Sequence, residues 1–218
     1  IKLIGRIISY SPENLRKFLQ DFLTKYEVMN VKQVLLSIIL GLPRKEKRKN
    51  VNFLVQQYLD REEFMEEMVK LNSLEEVRLF LRDTRYYKPV REGILTYKNR
   101  SEIFVLESFL DQLYYKILNQ QRSNLNKYEK KMIQLFTKYL TEVYNIKIIY
   151  RGILNDIERK LLSQFLVESY LFLDESTTDE LINQTELNDF FRLLNKFLRE
   201  SEELKSIYTQ ISVQDRKS

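Results

Sequence analysis

The chain has 218 residues, of which 44% are hydrophobic and 31% charged, the composition of a globular protein. Its 36 Lys and Arg exceed its 31 Asp and Glu by a net charge of only +5, which does not specify a nucleic-acid partner. The absence of Cys and His excludes disulfides, Cys/His zinc sites and catalysis by thiolate or imidazole. The four Gly are far apart, so a clustered-glycine phosphate loop is excluded as well.

Apolar residues at helical spacing, interrupted by few Gly or Pro, predict long helices along the chain. Ser11 and Pro12 are typical of a helix start, and the spacing at Ser73 and Thr177 is that of a capping box. The apolar stripes occupy, in chain order, residues 15–26, 103–117, 128–143 and 187–198. Strand signals are weak, because the β-branched residues 146–153 lie within a helical period. The sequence therefore predicts an all-α fold.

The chain also contains an internal repeat. Residues 27–34 return as residues 142–149, 115 positions later, with Glu, Val, Asn and Lys at the same places. Each copy follows an amphipathic helix and precedes a capped one. Because solenoid repeats are about 20–50 residues long, this longer period indicates a duplicated helical-bundle subdomain. We predict subdomains at residues 1–98 and 99–218.

Asn30 and Asn145 occupy the same position in the two copies. Their recurrence could be mistaken for an active site, but a polar residue that recurs within helices is more often architectural. We predict that each asparagine forms hydrogen bonds across a helix junction and holds the next helix at a fixed angle.

A compact basic run follows Gly41 and Pro43, which places it on a loop or at a helix start. Its members are Arg44, Lys45, Lys47, Arg48 and Lys49. These side chains are candidate contacts for an acidic partner, or for the phosphates of nucleic acid or lipid headgroups. The alternative is a solvated connection between helices.

Two further segments have a functional and a structural interpretation. Within residues 82–100, Arg85, Lys88, Arg91 and Lys98 are interleaved with three Tyr, a pattern that can bind single-stranded nucleic acid. Because this segment contains Pro89 and Gly93, we interpret it as the linker between the subdomains. The glutamates of residues 62–67 could ligate a hard cation, but their helical spacing favours a solvated face, and we predict no metal site.

The pattern of Leu110, Asp111, Tyr114 and Tyr115, followed by Glu142, Asn145, Ile146, Lys147 and Arg151, resembles the C subunit of archaeal A-type and bacterial V-type ATP synthases. The eukaryotic counterpart is the d subunit of the vacuolar ATPase. The resemblance extends from about residue 18 to residue 197. Glu27 and Glu142 stand where the family favours Asp, and the first copy has Leu36 where the second has Arg151.

The resemblance implies three similar helical subdomains that form a funnel. Two are visible in this sequence, so we expect the third to be either absent from the chain or too divergent to recognise, and the chain to form part of the funnel. The implied role is that of a non-catalytic central-rotor subunit, a socket that couples the central stalk to the membrane ring and transmits torque. Asn30, Asn145 and Arg151 would be structural residues of the repeated motif.

The implied partners are the central-stalk subunits and the ion-translocating ring, with no cofactor and no small-molecule substrate. The implied location is cytoplasmic, peripheral at the inner face of the cell membrane through the ring. The alternative is a basic helical nucleic-acid-binding protein that uses residues 44–49 and 82–100. Its affinity for DNA or RNA would fall steeply with salt.

Overall fold

The computed structural model describes residues 2–120 and 125–201, which contain twelve helices and no strand, so the predicted all-α class is confirmed. In chain order the helices are α1 (Lys2–Tyr10), α2 (Glu13–Ile39), α3 (Arg44–Asn50), α4 (Phe53–Leu59), α5 (Glu62–Met68), α6 (Leu74–Phe80), α7 (Tyr87–Arg100), α8 (Ile103–Leu118), α9 (Lys127–Leu154), α10 (Arg159–Ser163), α11 (Glu175–Ile182) and α12 (Leu187–Glu200). Over these described ranges, no helix combines the length and the apolarity that a membrane span requires.

The chain forms two compact units, a first unit of Ile1–Asn126 and a second unit of Lys127–Ser218. Each unit is organised around one long helix, α2 in the first and α9 in the second. The predicted subdomains, residues 1–98 and 99–218, each contain one copy of the sequence repeat. This division remains a prediction. Helices α7 and α8, on either side of that division, pack along one another within the first unit.

The core of the first unit surrounds α2, which packs against α1, α3, α4, α6 and α8. On α2, the side chains of Leu23, Val31 and Val34 are completely buried. Burial on this scale stabilises the bundle by about 1.5–3 kcal/mol for each large apolar side chain. Lys32 on α2 and Asp111 on α8 form an ion pair, 2.6 Å between Nζ and Oδ2, that bridges the two helices.

The interpretation of residues 82–100 as a linker is wrong, because residues 87–100 form the continuous helix α7, which packs along α8. Pro89 lies in the first turn of α7, where backbone N–H groups have no intrahelical acceptor, so a proline there costs no hydrogen bond. Gly93 permits α7 to approach α8 closely: a Cβ added there would lie 2.6 Å from Leu106 Cδ1 and 3.2 Å from its Cα. The helix ends at Ser101, whose φ of 58° turns the chain into α8.

In the second unit, α9 packs against α10 and α12, and α11 packs against both α10 and α12. The core includes Phe165 and Phe190, which are fully buried. The rings of Tyr150 on α9 and Phe191 on α12 lie 5.8 Å apart. The buried residues of α9 begin at Thr137, so the first ten residues of this helix contribute no buried side chain.

Both long helices end in the same hydrogen-bonded turn. After α2, Gly41 has a φ of 65°, its N–H donates to Ile38 O, and Leu42 N–H donates to Ser37 O at 2.9 Å. After α9, Asp156 has a φ of 50°, and Ile157 N–H donates to Gly152 O at 2.9 Å. This is the Schellman arrangement, which satisfies carbonyls at the helix end and reverses the chain. The two turns are 115 positions apart.

Of the three capping residues predicted from the sequence, one caps its helix in the structure. Ser73 caps α6 as predicted, because its Oγ accepts from the N–H of Glu76. The predicted cap at Thr177 is wrong, since α11 begins at Glu175 and Asp174 accepts from Thr177 N–H. Ser11 does not cap α2, because its hydroxyl donates backwards to Ile7 O at 2.6 Å.

Candidate functional site

The repeated asparagines each bind one distant residue at two backbone atoms. Asn30 donates from Nδ2 to Asn52 O at 3.0 Å and accepts from Asn52 N at 2.9 Å. Asn145 donates to Val167 O at 2.8 Å and accepts from Val167 N at 3.0 Å. In both units the bound residue is 22 positions further along the chain. An asparagine side chain offers both a donor and an acceptor, so it can satisfy the backbone N–H and C=O of a single residue. We call this arrangement the asparagine clamp.

The glutamates three residues before the asparagines are buried, but their partners differ. Glu142 accepts three backbone N–H groups, from Leu171, Phe172 and Leu173, with a shortest distance of 2.6 Å to Leu171 N. It thereby fixes the segment that precedes α11. Buried carboxylates require such partners, because an unpaired charge is costly away from water.

Glu27 is fully buried and binds side chains instead of the backbone. Its Oε1 accepts from the Tyr86 hydroxyl at 2.6 Å and lies 3.2 Å from Arg61 Nε and 3.7 Å from an Arg85 nitrogen. We call these four residues the Glu27 cluster. Burial and the neighbouring carboxylate raise the pKa of the Tyr86 hydroxyl, so this group remains a donor at neutral pH.

Arg151, the third residue predicted to be structural, lies in the last turn of α9 and is half-buried. Its carbonyl accepts from the backbone N–H of Asn155 at 3.1 Å and from the Asn155 side chain at 2.6 Å. A cation at this end of a helix interacts favourably with the helix dipole. Leu36 occupies the corresponding place on α2.

The basic run forms helix α3, and its five cations lie in different environments. Lys47 is buried, and its Nζ donates to Leu71 O and, at 3.1 Å, to Asn72 Oδ1. Burial lowers the pKa of this lysine, since desolvation disfavours its charged form. Repeat spacing could have indicated this burial, because Leu162 stands 115 positions after Lys47 and is also buried.

Arg48 is engaged within its own unit. It donates to Glu66 Oε1 from two nitrogens, at 2.9 and 2.6 Å, and its guanidinium lies 4.6 Å from the centre of the Phe53 ring. The side chains of Arg44, Lys45 and Lys49 are exposed. The candidate partner surface of α3 is therefore formed by these three cations.

The cations and aromatic rings of residues 82–100 contact one another. Arg91 pairs with Glu92 and lies 5.8 Å from the Tyr87 ring centre, while Arg85 belongs to the Glu27 cluster. Tyr86 is buried, so its ring is not available to stack on a base. The arrangement engages Arg85, Arg91 and Tyr86 within the first unit, whereas Lys88 and Lys98 are exposed.

The glutamates of residues 62–67 bind protein groups individually. Glu62 accepts from Gln57 at 2.9 Å, Glu66 pairs with Arg48, and Glu67 pairs with Lys70. Within residues 2–120 and 125–201, no three acidic side chains converge to hold a metal ion. The geometry of the described residues is thus that of a scaffold held by buried polar contacts.

The profile of the family described as ATP synthase (C/AC39) subunit matches residues 1–217. The chain belongs to this family. The C subunit of the A-type ATP synthase of Methanocaldococcus jannaschii is 25% identical to this family member over 215 residues, which cover 94% of the chain and 53% of that protein.

Other curated relatives carry the same name. The A-type ATP synthase C subunit of Methanosphaera stadtmanae is 21% identical over 214 residues, covering 94% of this chain and 54% of the relative. That of Pyrococcus furiosus is 28% identical over 157 residues, covering 72% of this chain and 40% of the relative. The chain spans about half the length of the first two relatives. No solved structure matches it significantly.

Proposed function

We propose that this chain acts in a non-catalytic central-rotor subunit of a rotary A/V-type ATP synthase. It would form part of a socket that couples the central stalk to the membrane ion-translocating ring and transmits torque. The observation that carries this proposal is the family match over residues 1–217. The chemistry agrees, because a mechanical role requires no nucleophile, general base or cofactor.

The mechanism we propose rests on stiffness. Helices α2 and α9 have 27 and 28 residues and are therefore about 40 Å long. Each is held by an asparagine clamp and by a buried glutamate. Because hydrogen bonds are directional, these contacts resist sliding more strongly than apolar packing alone. Under torque, the elements of each unit would keep their positions relative to its long helix.

Two interfaces complete the proposal, one with the central-stalk subunits and one with the rotor ring. The ring would hold the protein on the cytoplasmic side, peripheral to the cell membrane. Arg44, Lys45 and Lys49 offer an exposed cationic surface that would dock on an acidic neighbouring protein of the complex. Complementary charge of this kind increases association rates and fixes the register of docking.

Nucleic-acid binding is the second candidate function, favoured only by the basic composition of α3 and of residues 82–100. The structure lowers the number of cations that such binding could use. Lys47 is buried, and Arg48, Arg85 and Arg91 all pair with glutamates. We therefore rank the rotor function first.

The test is affinity purification of the tagged protein from its own cells at low and at high salt. We expect central-stalk and ring subunits to be recovered with the tagged protein. The variant R44E/K45E/K49E should recover them at least about tenfold less well at low salt, because the docking surface then repels its acidic partner. Recovery of nucleic acid that is lost at high salt, in place of synthase subunits, would overturn the proposal.

A matched control reverses three exposed cations elsewhere in the first unit, Arg6, Lys25 and Lys116. This variant changes the net charge equally but leaves α3 intact. We expect it to recover the same subunits as the unmodified protein. Equal losses in both variants would show that net charge, rather than the α3 surface, determines association.

A further inference from the structure

The first half of α9 carries an exposed apolar stripe. Tyr128, Met132, Leu135 and Tyr139 are 73%, 52%, 50% and 50% exposed. Their spacing of four, three and four residues places them on one face of the helix, over about 16 Å. Contiguous apolar surface of this kind is rare on a protein unless it meets a partner. We call these four residues the α9 stripe.

The α9 stripe is not a requirement of the shared fold. The corresponding positions of α2, 115 residues earlier, are Glu13, Lys17, Gln20 and Thr24. All four positions are therefore polar on the first long helix and apolar on the second. Because both helices otherwise share the same clamp and the same C-terminal turn, the change is specific to α9.

Charge around the stripe indicates what covers it. Residues 127–139 contain four lysines and one glutamate. Lys131 and Lys138, both exposed, are one heptad apart and follow one edge of the stripe. The chain already contains a contact of this chemistry, since Lys32 on α2 pairs with Asp111 on the packed helix α8 at 2.6 Å.

We propose that the α9 stripe docks an amphipathic helix of a partner protein, with an apolar seam and carboxylates along the edge that faces Lys131 and Lys138. The alternation of four and three residues is the spacing that coiled-coil packing requires. About three helical turns of the partner cover the stripe. The partner carboxylates pair with the two lysines and set the register of the complex.

The experiment uses the full chain and a synthetic probe peptide of about three heptads, with leucines at the seam positions and glutamates at the flanking positions. Fluorescence anisotropy of the labelled peptide measures binding. We expect saturable binding that the variant M132Q/L135Q weakens by at least about tenfold, because it removes the centre of the seam. The control variant L95Q changes an exposed leucine of α7 and should bind as the unmodified chain does.

Charge reversal tests the edge contact separately. In the variant K131E/K138E, affinity for the glutamate peptide should fall about tenfold. This variant should instead bind a second peptide in which lysines replace the glutamates at the flanking positions. Absence of binding, or equal affinity of both peptides for all variants, would overturn the proposal. Sedimentation that shows a dimer abolished by M132Q/L135Q, with no peptide binding, would also overturn it by assigning the stripe to a second copy.

Discussion

Replacement of Asn145 by Ala should lower the free energy of unfolding of the second unit by about 3 kcal/mol. The change leaves both Val167 N and Val167 O without their partner, at a site where Asn145 is only 4% exposed. Each buried backbone group left unsatisfied costs about 1–3 kcal/mol, and the better helix propensity of Ala offsets less than about 1 kcal/mol. Urea unfolding measures the loss.

Hydrogen exchange locates the effect. The Val167 N–H donates to the Asn145 side chain, so its exchange should become much faster in N145A. Asn155→Ala is the matched control in the turn that follows the same helix, because Asn155 is exposed and its side chain bonds the end of α9 at Arg151 O. We expect that control to change stability by less than about 1 kcal/mol. Equal losses in the two variants would contradict a structural role for the clamp.

Replacement of Glu27 by Gln should destabilise the first unit by a comparable amount, about 3 kcal/mol. The variant keeps the shape of the side chain but removes the negative charge that faces Arg61 and Arg85, whose side chains are 33% and 37% exposed. Removal of one partner from a buried ion pair costs about 3–5 kcal/mol, and the partial exposure of the arginines places our value at the lower end. The measurement is again urea unfolding.

The Glu27 cluster also predicts non-additive variants. Tyr86→Phe removes the hydroxyl that donates to Glu27 at 2.6 Å. Because E27Q weakens this charge-assisted hydrogen bond and Y86F removes it, the double variant E27Q/Y86F should lose less stability than the sum of the two single losses. Glu67→Gln, which affects only an exposed pair with Lys70, should cost less than about 1 kcal/mol. Strict additivity of the two cluster variants would rule out the shared contact.

Sequence spacing is sufficient for the features that depend on local pattern. Few Gly and Pro and the apolar period identify the helices, and the repeat at 115 positions singles out Asn30 and Asn145 as equivalent. The geometry of the clamps cannot be read from the sequence, because the bound residues, Asn52 and Val167, are held at backbone atoms, which every residue type except proline could provide.

Features that depend on contacts between residues far apart in the chain cannot be predicted from sequence spacing. The sequence suggests a linker at Tyr86, but the hydroxyl of this residue binds a glutamate 59 positions earlier, a separation no local pattern reports. Because lysine is seldom buried, the local sequence gives no reason to separate Lys47 from its exposed neighbours. Its Nζ nevertheless donates to the carbonyl of Leu71, 24 residues further along the chain. Gly93 has the appearance of a break, whereas its missing Cβ permits α7 and α8 to pack closely.

The central proposal, that this chain belongs to a subunit that couples ATP hydrolysis to ion movement without catalysing either step, is tested most directly in inverted membrane vesicles. ATP hydrolysis and ATP-driven ion uptake are measured together in vesicles from cells with the protein, without it, and with it restored. We predict that loss of the protein abolishes ion uptake, while the catalytic head retains hydrolysis, and that restoration recovers uptake. Ion uptake that stays coupled to hydrolysis in its absence would contradict the account.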